Sequence, residues 1–168
     1  KVVKHLSKVT YPKGHHILEA GKTETNIFFI EKGITRAYIP VDGKEVTFWI
    51  GKEGSTIVSL KSYVNNQQGY ESMELMENSV LYLLKRNELF KEDIHIANWG
   101  RKFAESEFLQ TEERLISLLF TTASERYMKL IQNNPELLQR MPLECLASYL
   151  GITPVSLSRI RAKLKRVL

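Results

Sequence analysis

The chain has 168 residues, enough for one large domain or two small ones. Its apolar fraction of 43% is ordinary, no apolar run is long enough to span a membrane and no secretory signal is visible, so a cytoplasmic location is expected. The single cysteine, Cys145, excludes an internal disulfide and any four-cysteine zinc or iron–sulfur site within one chain. The net charge of +5 is concentrated at one end. Residues 140–168 hold six basic residues (Arg140, Arg159, Arg161, Lys163, Lys165 and Arg166) against one acid, Glu144, and so carry the whole excess. A terminus of this kind is suited to meeting a polyanion.

Residues 1 to about 90 read as short strands punctuated by turns. Val9-Thr-Tyr11 leads into Pro12-Lys-Gly14, and His16-Ile-Leu18 is followed by Ala20-Gly21. Asn26-Ile-Phe-Phe-Ile30 is a compact apolar run closed by Glu31-Lys-Gly33. Ile34 to Ile39 and Glu45 to Ile50 alternate as strands, and Pro40-Val-Asp-Gly43 between them predicts a hairpin, with Asp-Gly its strongest signal. Ser59 to Val64 fits one or two helical turns, and Asn65 to Gly69 predicts an exposed loop. Strand patterning resumes at Glu71–Leu75 and Ser79–Leu84, and Lys85 to Phe90 begins a helix. Such even spacing predicts an all-β barrel or sandwich.

From about Ile94 the period changes. Ile96, Trp99, Phe103, Phe108, Leu115 and Leu119 recur as on one long helix reaching about Thr121. A further helix runs to Asn133 with Ala123, Tyr127, Leu130 and Ile131 inward, and Asn133-Asn-Pro135 stops it. The long helix carries more apolar residues than one neighbour can cover. It therefore predicts a dimer seam, with Ile96, Trp99, Phe103 and Phe108 as its candidates.

The last stretch reads as two short helices around a tight turn. Leu143, Leu146, Ala147 and Leu150 make one apolar face, and Leu157, Ile160 and Leu164 a second. Gly151 supplies a left-handed residue at the turn, Thr153 an N-cap and Pro154 a first helical residue that needs no amide hydrogen. Small Ala147 four residues before Gly151, and Leu157 six after it, match a DNA-binding helix-turn-helix. The alternative is an ordinary helical hairpin. The outer face decides against it, because Ser156, Ser158, Arg159, Arg161, Lys163, Lys165 and Arg166 are joined there by no acid.

The order of these parts resembles the Crp/Fnr family of bacterial transcription regulators, and looks most like the cyclic-nucleotide-binding-domain-like members found in Bacteroidetes. The resemblance covers nearly the whole chain. It rests on Tyr11-Pro-Lys-Gly14 with Ala20-Gly21, Ile27-Phe-Phe-Ile-Glu-Lys-Gly33, Ser124-Glu-Arg-Tyr127, and Leu146-Ala-Ser-Tyr-Leu-Gly-Ile-Thr-Pro154 with Leu157-Ser-Arg159. It implies an α+β chain with an effector-sensing, jelly-roll-like β-roll at 1–92, a dimerisation helix at 93–121 and a winged-helix-like DNA-binding unit at 122–168. Only a few residues are left after the last helix to build a wing. The implied partners are a second copy of the chain and double-stranded DNA bearing an inverted repeat, with RNA polymerase a further candidate. By the family's pattern Pro154, Val155 and Arg159 meet base edges. Ser156 and Ser158 join them on that face, while Thr153, Arg161, Lys163 and Lys165 are expected at phosphates. Pro and Val stand where the best-known members carry Arg and Glu, so a different operator is expected.

The resemblance also places an effector pocket at Ile57, Val58, Ser59, Gly69 and Tyr70. Members that bind cyclic AMP carry a Gly-Glu pair and, later, an Arg-Ser/Thr-Ala stretch. Here Gly54-Ser-Thr-Ile-Val-Ser-Leu60 lacks the acid and Gln68-Gly-Tyr-Glu-Ser72 lacks the base. A buried phosphate without a cationic partner costs several kcal/mol, so cyclic AMP is not expected to bind tightly, and no cofactor is assigned. A cupin-like enzyme or a small-molecule sensor without DNA binding is the alternative. A cupin needs about three His and one Glu on neighbouring strands, whereas adjacent His15 and His16 point to opposite faces of a strand. His5 and His95 are expected at the surface. Lys13 and Arg36 are candidate ligand contacts that nothing ranks above surface charge, while Glu71, Glu74 and Glu77 read as a solvated edge and Glu112, Glu113 and Arg114 as a solvated helix face. No Ser-His-Asp arrangement or phosphate-cradling glycine loop is apparent, so no catalytic residue or enzymatic activity is assigned.

Overall fold

The computed structural model describes residues 2–89 and 94–164. It divides into two compact units, Lys1–Glu105 and Ser106–Leu168. Eight strands build the first: β1 (Leu6–Tyr11), β2 (His16–Leu18), β3 (Ile27–Lys32), β4 (Thr35–Val41), β5 (Lys44–Gly51), β6 (Thr56–Ile57), β7 (Ser72–Leu75) and β8 (Ser79–Leu84). They form two four-stranded sheets, in the orders β1-β8-β3-β6 and β2-β7-β4-β5. That interleaving is a jelly roll, the expected closed β architecture. Alternate residues of both sheets face inward, and Leu18, Phe28, Ile30, Ala37, Ile57, Met73, Leu75 and Leu81 fill the space between.

The predicted hairpin is shorter than its sequence signal. β4 runs on through Pro40 to Val41, which pairs with Lys44. Only Asp42 (φ 50°) and Gly43 (φ 74°) turn, both left-handed, as a two-residue type I′ loop requires. Pro40 is tolerated because pairing with β7 ends at Tyr38, which leaves one side of the strand unpaired there. Short helices α1 (Leu60–Asn65) and α2 (Arg86–Leu89) complete the roll; Phe90, the predicted end of α2, lies outside the described residues.

Two expectations about charged residues on the roll are corrected. Arg36 is buried, and it donates to Glu74 from Nε and Nη2 at 3.0 and 2.7 Å and to Glu45 from Nη2 at 2.5 Å. β4 lies between β5 and β7, so a cation on the face opposite the core residue Ala37 meets one carboxylate from each side. Glu74 is therefore not part of a solvated edge. Neither is Glu71, which is 3% exposed. His15 stacks on Tyr11 while His16 Nε2 lies 3.1 Å from the Tyr38 hydroxyl, so the adjacent histidines do serve different surroundings. His5 is only half exposed and pairs with Glu88 at 2.6 Å.

The helices that follow are α3 (Ile94–Phe120), α4 (Ala123–Asn133), α5 (Leu137–Arg140), α6 (Leu143–Tyr149) and α7 (Pro154–Leu164). The division between the units falls inside α3, after Glu105. Thr122 and Glu125 start α4 with a capping box, in which each side chain bonds the other's backbone N–H. The described residues of the second unit contain no strand, and hence no wing. No helix of the described residues is long and apolar enough to cross a membrane.

Candidate nucleic-acid interface

α6 ends in a Schellman motif. Ile152 N–H donates to the carbonyl of Ala147 at 3.0 Å and Gly151 N–H to that of Ser148 at 2.9 Å. The motif needs a left-handed residue at Gly151, whose φ is 70°. Two residues on, the Thr153 hydroxyl accepts from Ser156 N–H at 3.2 Å and Pro154 opens α7, so the chain reverses within four residues. Leu146, Ala147, Leu150 and Leu157 are essentially inaccessible, and this is where α6 and α7 meet. Leu143, Ile160 and Leu164 are half-buried, and Cys145, which the predicted apolar face omitted, is buried.

The other face of α7 is open. Thr153, Pro154, Val155, Ser158, Arg159 and Lys163 are exposed, and Ser156 is half-buried with its hydroxyl 3.0 Å from that of Thr153. Arg161 departs from the expected set. It lies one helical turn beyond the buried Leu157 and thus on the inner stripe. Its guanidinium sits 5.7 Å from the Tyr127 ring, and its buried Nε and Nη2 have no hydrogen-bond partner. Lys165 and Arg166 lie outside the described residues.

Two further arginines serve this unit, and periodicity alone did not single them out. Arg114, on α3, donates from Nη2 to the carbonyl of Tyr149, and its guanidinium lies 3.9 Å from the Tyr149 ring. Burial lowers its pKa from the ordinary arginine value, an effect the Tyr149 side chain opposes and the charge of Arg126 reinforces. Arg126, on α4, donates from Nε to the carbonyl of Leu150 at 3.0 Å and from Nη1 to the carbonyl of Thr121. A longer contact of 3.5 Å joins Nη1 to the carbonyl of Ser117. Arg126 belongs to the Ser124-Glu-Arg-Tyr127 motif, which was its one trace in the sequence.

The candidate seam residues on α3 separate into two kinds. Ile96 is 6% exposed and is a core residue of its own chain, which removes it from an intermolecular face. Trp99 and Phe103 are half-buried and stacked, ring centroids 5.5 Å apart, with Trp99 edge-on to Phe29 of β3 at 6.0 Å. Phe108 is 73% exposed, and Leu109, Leu115, Ile116, Leu118, Leu119 and Phe120 are exposed with it.

Of the candidate effector residues, Ile57, Ser59 and Gly69 are buried, Val58 is half-buried and Tyr70 is exposed, tilted against Phe48 at 6.4 Å. The Ser59 and Ser62 hydroxyls lie 3.1 Å apart at the start of α1. A Cβ on Gly69 would stand 2.8 Å from Leu18 Cδ2, 3.0 Å from Ser59 Oγ and 3.2 Å from Glu71 Oε2, so these side chains crowd one bare backbone atom. Glu71 Oε2 is buried with no hydrogen-bond partner. An acid therefore sits in the region where the sequence comparison had noted only a missing base.

A model of the cyclic nucleotide-binding domain matches residues 8–92. The chain belongs to that family. No curated protein sequence matches it. Among solved structures, the cyclic nucleotide-binding domain and the helices after it share the fold of FixK2 from Bradyrhizobium japonicum, with a TM-score of 0.80 at 20% identity over 96% of this chain and 85% of that one. The c-di-GMP responsive global regulator CLP from Xanthomonas campestris aligns with a TM-score of 0.68 at 14% identity, over 98% and 88%. The catabolite activator protein of Thermus thermophilus aligns at 0.57 and 18%, over 98% and 81%.

Proposed function

We propose that this chain is a sequence-specific, DNA-binding transcription regulator of the Crp/Fnr type that acts as a homodimer. The observation that carries the reading is α7. It is held by a Schellman turn and an N-cap at one end and buried through Leu157, and it turns Val155, Ser158, Arg159 and Lys163 outward with no acid among them. α6, the tight turn and α7 form the helix-turn-helix, with α7 in the major groove. Arg159 reads a base edge, with Pro154, Val155, Ser156 and Ser158 beside it. Thr153 and Lys163 hold phosphates, while Arg161 supports the helix from within. Description of the Xanthomonas neighbour as a global regulator supports the same role.

The test begins with selection of bound fragments from genomic DNA. The Arg159→Ala variant is then expected to lose about 1–3 kcal/mol at one base position. Lys163→Ala weakens all sequences alike and lowers the slope of affinity against salt by about one. If the wild-type chain retains no fragment, the reading is lost.

The dimer is formed by the exposed apolar residues of α3 from Phe108 to Phe120, and it sets two reading heads about 34 Å apart on an inverted repeat. The effector domain does not bind cyclic AMP tightly. The pocket region carries the buried Glu71 where the family's cyclic AMP binders carry a cation, and a carboxylate there repels a phosphate. Calorimetric titration with cyclic AMP is expected to give no saturable heat at micromolar concentration; a saturable isotherm would overturn this.

A further inference from the structure

The last turn of a helix leaves backbone carbonyls without intrahelical donors and carries the negative end of the helix dipole. In the second unit two such ends come together: that of α3, at Thr121 just past its last residue, and that of α6, at Tyr149 and Leu150. Two negative ends repel unless a cation stands between them. Arg126 bridges them, with Nη1 on the α3 carbonyls and Nε on Leu150. Arg114 reaches from the side of α3 to the neighbouring Tyr149 carbonyl and lies over the Tyr149 ring. A planar, forked cation can serve two carbonyls, as Arg126 does, or a carbonyl and a ring face, as Arg114 does; lysine presents a single point charge.

We infer that Arg114 and Arg126 form a clamp that fixes α6, and with it α7, to the end of α3, which makes them positioning residues for DNA reading. The inference rests on the DNA-reading role proposed for α7. Neither residue needs to touch DNA. The clamp sets the direction in which each α7 leaves its long helix. In a dimer this fixes the distance between two reading heads and so the spacing of half-sites that both can occupy. A loose clamp leaves each head able to read its half-site and removes the preference for one spacing.

The experiment uses the full chain, Arg114→Ala, and Arg126→Gln with Arg126→Lys as a milder second variant should Gln prevent folding. Native-state hydrogen exchange is read first, without DNA. Amides of Tyr149 to Ile152 are expected to exchange faster in the variants, while those of Tyr127 to Leu130 on α4 keep wild-type protection. Binding is then measured on the selected duplex, on the same duplex with two base pairs added at its centre, and on a single half-site. The wild-type chain is expected to prefer its own spacing by about tenfold or more, because both heads engage only when the geometry allows. In the variants that ratio falls towards one, while half-site affinity stays within about threefold, Arg159 being untouched. An unchanged ratio with unchanged exchange overturns the clamp. So does an equal loss on half-site and full site, which would make the arginines supports of the fold alone. A wild-type chain that binds no DNA overturns the clamp's role together with the reading it rests on, an outcome distinct from normal binding by all forms.

Discussion

The two parts of α3 have opposite surroundings. Before Glu105, Ile96 is buried and Trp99 and Phe103 stack towards Phe29, so the apolar side chains are covered by their own unit. After it the order is inverted. Seven large apolar residues between Phe108 and Phe120 are exposed, while the half-buried positions are Glu107, Arg114 and Ser117. A helix that covers polar groups and presents apolar ones to water gains from any neighbour that covers them, since burying each such side chain is worth roughly 1.5–3 kcal/mol. Hydrophobicity along a helix thus identifies which residues seek cover. It does not say whether the cover comes from the same chain or from another.

The comparison can be broken most severely at its second half. Leu115→Glu with Leu119→Glu puts acids on the exposed stripe. By light scattering the variant is expected to be a monomer, and its affinity for a full inverted-repeat site falls by about a hundredfold or more because two heads are no longer linked. A variant that stays dimeric would place the seam elsewhere. Trp99→Ala tests the first half. It should cost about 1–3 kcal/mol in denaturant unfolding, less than a fully buried tryptophan, and leave the association state unchanged. The smallest effect concerns the boundary where α4 begins. Hydrogen bonds from the Thr122 backbone and then its hydroxyl hold Glu125 below the usual carboxylate pKa. A lowered folded-state pKa stabilises the cap above the unfolded value and is lost as pH falls through the folded one. Protection of the amides at the start of α4, taken relative to their intrinsic exchange rates, is therefore expected to fall on acidification, and Thr122→Ala, which removes the hydroxyl bond and keeps the backbone one, should weaken that pH dependence.

Much of the fold was readable before any coordinates. Glycine turns and alternating runs placed strands at or within a few residues of every strand but β6, because the period of two and left-handed turn residues are local signals; β6 is only Thr56–Ile57, too short to show a period. Gly151, Thr153 and Pro154 marked the turn before α7 for the same reason. The charged residues were misread in one consistent way. Arg36, Glu71, Glu74 and Arg114 all stood at positions that looked solvated, and all are at least half-buried. Their partners are carboxylates on neighbouring strands for Arg36 and a backbone carbonyl from another helix for Arg114, and no spacing along the chain records either. Arg161 was misread likewise: its basic type suggested phosphate, but its place one turn from Leu157 decided its direction. For Glu71 the sequence offered no signal beyond the residue itself.

The pairing of β1 with β8 has a consequence for the roll as a unit of construction. Leu6, where β1 begins, stands opposite Leu84, where β8 ends. The roll's entrance and exit are therefore side by side, and its two sheets close without borrowing a strand from anywhere else. A domain wired in this way can be set into another chain as a cassette, because both of its ends leave from the same edge.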